Sequence, residues 1–116
     1  MVSITLYHNP RCSKSRAALA LLQERGAEVK VIEYLKMPPD AAALRKLLKR
    51  LGLNARDVLR KGEAPYRELG LGRDSITDAE LVAAIADHPI LLERPIAVAG
   101  ERAVVGRPPE RVLELL

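Results

Sequence analysis

The first third of the chain changes its hydrophobic period twice, and this limits the possible folds more than any other feature. Residues 2–7, VSITLY, are rich in β-branched side chains and read as a strand. The next residues, His-Asn-Pro, break it, because Pro10 cannot continue a central strand. From Ser13 the pattern turns helical: SKSRAALALLQERG spaces Ala17, Leu21 and Leu22 along one side and stops at Gly26. AEVKVIEYL then returns to a strand through Val29, Val31 and Ile32. Strand, loop, helix and strand in this order predict a parallel pair with a right-handed crossover.

The middle of the chain is helical. MPPD opens it, with Asp40 as a cap and Leu44, Leu47, Leu48 and Leu51 on one face, and Gly52 closes that helix. LNARDVLRK reads as a second short helix capped by Asn54, and APYRELGLG as a helical turn or a loop. SITDAELVAAIADHP carries a capping box, Thr77 with Glu80 three residues on. RPIAVAG and RAVVGR then form two apolar runs around Gly100 and Glu101, the pattern of a β-hairpin. PPERVLELL closes the chain as a short helix. The order β-α-β, helical segment, β-β-α predicts one α/β domain of thioredoxin-like (glutaredoxin-like) fold, with a helical insertion at about residues 37–93 between the second and third strands.

Composition narrows the function. The core must be aliphatic, because the chain has no Phe or Trp and only three Tyr. That sets aside single-stranded nucleic-acid binding on aromatic platforms. No apolar run approaches the length of about 18 residues that a membrane span needs. The first residues lack the pattern of a signal peptide, so a cytoplasmic protein with a reduced thiol is expected. One Cys and two His do not supply a structural zinc site. The net charge of +4 suits an anionic ligand and suits an ordinary solvated surface equally well.

The one cysteine, Cys12, lies in HNPRCSKSR, at the start of the first helix. A helix N-terminus offers unpaired N–H groups and the positive end of the helix dipole, and both favour a thiolate. The N–H groups of residues 13–15 can point at the sulfur, and the Ser15 hydroxyl can donate to it. His8, Arg11, Lys14 and Arg16 add positive or polarisable groups. The bland alternative is a small buried hydrophobe, as free cysteines often are. An oxyanion bound beside a thiolate needs opposing positive charge. Arg60, Arg94 and Arg107 stand near breaks in the chain, the last two each before a proline. Arg94 stands out because thioredoxin-like folds place a cis-proline next to the reactive thiol at this point.

Spacing excludes two chemistries. Cysteine phosphatases need C-x₅-R, and here Arg16 is four positions after Cys12. Dithiol oxidoreductases need a second cysteine where CSKS has Ser15. An oxidised Cys12 therefore requires a reductant from another molecule.

Taken together, YHNPRCSKSR, LRK…PY, HPILLERPI and GRPPE resemble the ArsC family, the glutathione- and glutaredoxin-coupled arsenate reductases, from about Ile4 to the end of the chain. The resemblance implies that Cys12 attacks arsenate, that Arg60, Arg94 and Arg107 hold the oxyanion, and that His8 and Ser15 lower the thiol pKa. It implies no bound cofactor or metal, with glutathione as co-substrate and glutaredoxin as partner. It also implies a cis Arg94–Pro95 bond. CSK follows the pattern of a housekeeping branch, where better-known members have CGT. Two other classes compete. Spx-like regulators share the fold and bind RNA polymerase, but usually carry C-x-x-C and need not keep the three arginines. A monothiol glutaredoxin-like protein would need a glutathione site without the arginine cluster.

Overall fold

A computed structural model describes residues 2–116. Strand β1 (Ser3–His8) alternates as the sequence pattern requires, with Ile4, Leu6 and His8 buried on one face. Helix α1 (Ser13–Glu24) follows, and Gly26, at φ 77°, takes the left-handed conformation just beyond it. The buried stripe of α1 is Ser15, Ala18 and Leu22, rotated from the Ala17–Leu21–Leu22 stripe that spacing suggested. The rotation turns a polar residue inward, which is tolerable only because Ser15 finds hydrogen-bond partners there.

Strand β2 (Glu28–Glu33) pairs parallel with β1, from Ser3 opposite Glu28 to His8 opposite Glu33. Strands β3 (Ile96–Ala99) and β4 (Arg102–Val105) form an antiparallel hairpin around Gly100 and Glu101, and β3 runs antiparallel to β1. The four-stranded sheet has the order β2-β1-β3-β4. The closing segment Pro109–Leu115 is a 3₁₀ helix. Its Val112 and Leu115 join Ile4, Leu6, Ala18, Leu22 and Ala97 in one aliphatic core. This sheet, with the helical segment between its second and third strands, is the thioredoxin-like fold.

The chain divides into two compact units. Residues 2–37 and 94–116 make the sheet unit, and residues 38–93 make a helical unit. In the helical unit, α2 (Ala41–Leu51) buries Leu44, Leu47 and Leu48, and α4 (Asp78–Asp87) buries Leu81, Val82 and Ile85. The caps are those the sequence pattern implies. Asp40 accepts from the Ala43 N–H at 2.8 Å, and Thr77 with Glu80 closes a reciprocal box. Asn54 and Asp57 cap a 3₁₀ turn, Ala55–Val58, in the same way. Between them lies α3 (Ala64–Glu68), with proline in its first turn.

Gly106 fixes the end of the hairpin by lacking a side chain. A Cβ there would sit 2.9 Å from both Pro95 Cγ and Val112 Cγ1. Neither the proline ring nor the buried valine can move far in a close-packed interior. Gly106→Ala should therefore destabilise the protein by about 1–3 kcal/mol, the usual cost of overpacking. Urea denaturation checks this, and an unchanged midpoint would mean the contact relaxes freely.

Candidate active site

Two periodicities converge on the thiol loop. The alternation of β1 puts His8 at the end of its buried face, and the stripe of α1 puts Ser15 at the start of its own. The two side chains meet, with His8 Nδ1 2.7 Å from Ser15 Oγ. The Asn9 N–H donates to the same oxygen at 3.0 Å. The Asn9 side chain in turn accepts from the Arg11 N–H at 3.0 Å, and the Asn9 carbonyl accepts from the Cys12 N–H at 3.0 Å. The loop is thus closed by its own polar groups, and Cys12 is left as the N-cap of α1.

The sulfur of Cys12 is half-buried and free of any disulfide. Its burial pushes the thiol pKa up. The Ser15 N–H, the Arg94 guanidinium and the Lys14 N–H all favour the thiolate and push it down. The lowering contributions win, and the thiol lies below its ordinary value. Ser15 therefore contributes its backbone N–H at the sulfur, while its hydroxyl is engaged by His8 and Asn9. Sequence spacing alone had pointed to the hydroxyl.

Arg94 directly precedes Pro95, and the bond between them is cis. Burial works against the guanidinium charge, but the Tyr34 phenol and the Cys12 sulfur outweigh it, so Arg94 stays fully charged. Arg107 precedes a second cis-proline, Pro108, and donates from its guanidinium to the Arg94 carbonyl at 3.0 Å. Cys12, His8, Ser15, Arg94 and Arg107 all belong to the sheet unit. Arg60 belongs to the helical unit, where its guanidinium pairs with Glu93 at 2.6 Å and Glu63 at 3.2 Å. Sequence reasoning missed two features of the site. One is Tyr34, for which the rarity of aromatic residues in this chain was the available signal. The other is the second cis bond, marked only by the Arg-Pro-Pro sequence.

Beside the thiol loop is a cavity of about 220 Å³, lined by residues 8–11 and by Glu33, Leu35 and Lys36. Among the described residues, no group of three His, Cys, Asp or Glu side chains is placed to hold a metal ion. No helix among them is long and apolar enough to cross a membrane.

Burial lowers the pKa of His8, and the Arg16 charge adds to this against the opposing pull of Glu33. An imidazole harder to protonate when folded contributes stability that is fully present above its ordinary value of 6.5 and is lost as pH falls below it. Stability should therefore drop on acidification through that range, and His8→Asn should flatten this part of the profile. Denaturant titrations at several pH values check it, and identical profiles for both proteins would reject the assignment.

The model of the ArsC family matches residues 7–115. The chain belongs to the ArsC family. The uncharacterized protein YfgD of Escherichia coli (strain K12) is 53% identical over 97% of this chain and 96% of its own. An arsenate reductase of Neisseria meningitidis is 50% identical over the full length of both chains. The solved arsenate reductase from Vibrio cholerae superposes with a TM-score of 0.96 at 49% identity, over 99% of this chain and 98% of that one.

Proposed function

We propose that this ArsC protein is an arsenate reductase in which the Cys12 thiolate attacks arsenate. The observation that carries the reading is the position of the thiol, half-buried as the N-cap of α1, where the helix N–H groups and the Arg94 guanidinium favour the thiolate. The names of the full-length relatives support the substrate. In the first step a sulfur–arsenic bond forms and an arsenate oxygen leaves as water after protonation. Arg94 and Arg107 offset the repulsion between the thiolate and the incoming oxyanion. In the second step a glutathione thiolate attacks the Cys12 sulfur, the sulfur–arsenic bond breaks, and its electron pair stays on arsenic. Arsenic gains two electrons and leaves as arsenite, and the two thiols are oxidised to a mixed disulfide. Glutaredoxin then reopens that disulfide, so Cys12 needs no partner cysteine within the chain.

His8 and Ser15 act in this reading by holding the loop that presents the sulfur. The cavity beside that loop suits glutathione, whose carboxylates and ammonium match Arg11, Lys36 and Glu33. No bound cofactor is required, and a reducing compartment such as the cytoplasm would supply both thiols. The reading treats the chain as one thioredoxin-like domain with the helical unit inserted. Its supporting geometry lies in the sheet unit, and Arg60, paired with Glu63 and Glu93 in the helical unit, is proposed as a third arginine for the oxyanion.

The test is arsenate-dependent NADPH oxidation coupled through glutathione, glutathione reductase and glutaredoxin. Turnover that requires both arsenate and glutaredoxin supports the reading. No turnover from a folded protein whose Cys12 remains acidic would mean that the thiol serves another electrophile.

A further inference from the structure

Among the described residues three polar side chains are buried, His8, Asn9 and Ser15, and the chemistry above gives Asn9 no part. Asn9 is 6% exposed and joins the end of β1 to the turn before Cys12. Three of its groups are engaged. Its N–H donates to Ser15 Oγ, its carbonyl accepts from the Cys12 N–H, and its side-chain Oδ1 accepts from the Arg11 N–H, each at 3.0 Å. The carbonyl bond closes a β-turn with Pro10 and Arg11 at its centre. The side-chain bond closes an Asx-turn inside it.

The peptide between Pro10 and Arg11 is the centre of that turn, and side chains hold it at both ends. The Pro10 carbonyl accepts from the Arg16 guanidinium at 2.9 Å, and the Arg11 N–H donates to Asn9. Pro10 has no N–H of its own, so Arg11 offers the first backbone donor after Asn9. The Arg16 bond is exposed and the Asn9 bond part-buried, so water competes less with the second. Cys12 depends on this turn for its place. It is the N-cap of α1 but makes no side-chain cap bond, so its own side chain does not anchor it there. Resting on the reading of Cys12 as the reacting thiolate, we propose that Asn9 is a positioning residue whose side-chain oxygen, by holding the Arg11 N–H, fixes the turn that sets Cys12 at the start of α1. It acts through the backbone of the turn and not on the sulfur.

The experiment is the pH profile of Cys12 alkylation by iodoacetamide, measured without arsenate on wild type, Asn9→Ala and Asn9→Ser. Both substitutions keep the backbone N–H and carbonyl of residue 9 and every group that favours the thiolate. Alanine removes the acceptor, and serine closes the same kind of turn more weakly. Alkylation follows the thiolate fraction, so Asn9→Ala should shift the profile to higher pH and slow the reaction about two- to tenfold at a pH below the wild-type midpoint, the usual weight of one hydrogen bond. Asn9→Ser should fall between the two. A merely structural role would lower the denaturation midpoint and leave the profile in place, so a folded Asn9→Ala protein with the wild-type profile overturns the proposal. Equal shifts for alanine and serine overturn it as well, because the lost amide volume and not the lost acceptor would then be the cause. If neither variant folds, hydrogen exchange on wild type decides. The Arg11 amide should exchange at least about tenfold more slowly than an unstructured amide, and exchange at the unstructured rate would overturn the proposal. A wild-type thiol titrating like free cysteine would instead sink the thiolate reading itself, whereas an acidic wild-type thiol unmoved by Asn9→Ala sinks this proposal alone.

Discussion

Cys12→Ser should abolish arsenate-dependent turnover, by on the order of 10⁴-fold or more, while the melting temperature stays at or above that of wild type. The two halves of this expectation have separate causes. Turnover is lost because a serine hydroxyl is essentially never ionised near neutral pH and cannot form the sulfur–arsenic bond. Stability is kept because Cys12 occupies the N-cap of α1 without closing a cap bond. Serine is among the preferred N-cap residues, and its shorter, harder oxygen can accept the N–H that sulfur holds loosely, a gain of up to about 1 kcal/mol. Circular dichroism and the coupled assay, run on the same preparation, separate the effects. Normal turnover by a folded Cys12→Ser protein would remove Cys12 as the nucleophile.

The second large effect is expected at Arg94. Arg94→Ala removes the guanidinium that favours the thiolate and, in the proposed reading, its hydrogen bonds to arsenate. Hydrogen bonds to charged groups are worth about 1.5–3 kcal/mol, so kcat/KM should fall roughly ten- to hundredfold. The thiol should become less acidic in the same variant, which alkylation reads independently of arsenate. Arg94→Lys restores the charge but not the planar fork, so it should recover the acidity of the thiol in part and the affinity for arsenate less well. Near-normal kinetics for Arg94→Lys would show that a point charge suffices and that two-pronged contact has no role.

The features legible in the sequence are those set by neighbours along the chain. The alternation of β1, the arrest of α1 at Gly26, the Thr77–Glu80 box and the Gly100–Glu101 turn each depend on a few adjacent residues, and the structure has each of them. The cis Arg94–Pro95 bond was legible through the resemblance rather than from local chemistry. What stayed hidden depends on meetings across the sheet. Nothing within a few residues of Ser15 says that its hydroxyl will be taken by His8, because that follows from how two buried stripes line up in space. Nothing near Tyr34 in the sequence says that its phenol will favour the charge of Arg94, sixty residues on. Arg60 was marked in the sequence, but its ion pairs were not. Position and resemblance mark it for an anion, and in the helical unit two carboxylates hold it.

The hairpin carries one more consequence. The Pro95 carbonyl accepts from the Gly106 N–H at 2.8 Å, and the Arg94 carbonyl accepts from the Arg107 side chain at 3.0 Å. Both strands of the hairpin thus meet Arg94 and Arg107 in one cross-braced piece, seated on Val112 through the bare face of Gly106. An anion binding to two independent arginines would have to freeze two long side chains on arrival. In the proposed reading part of that ordering is completed during folding, because the Arg94 backbone and the Arg107 side chain are already held, so less entropy is lost on binding. On that reading the preorganisation is a property of the backbone brace, and loosening the brace at Gly106 would weaken binding without altering any group proposed to touch the anion.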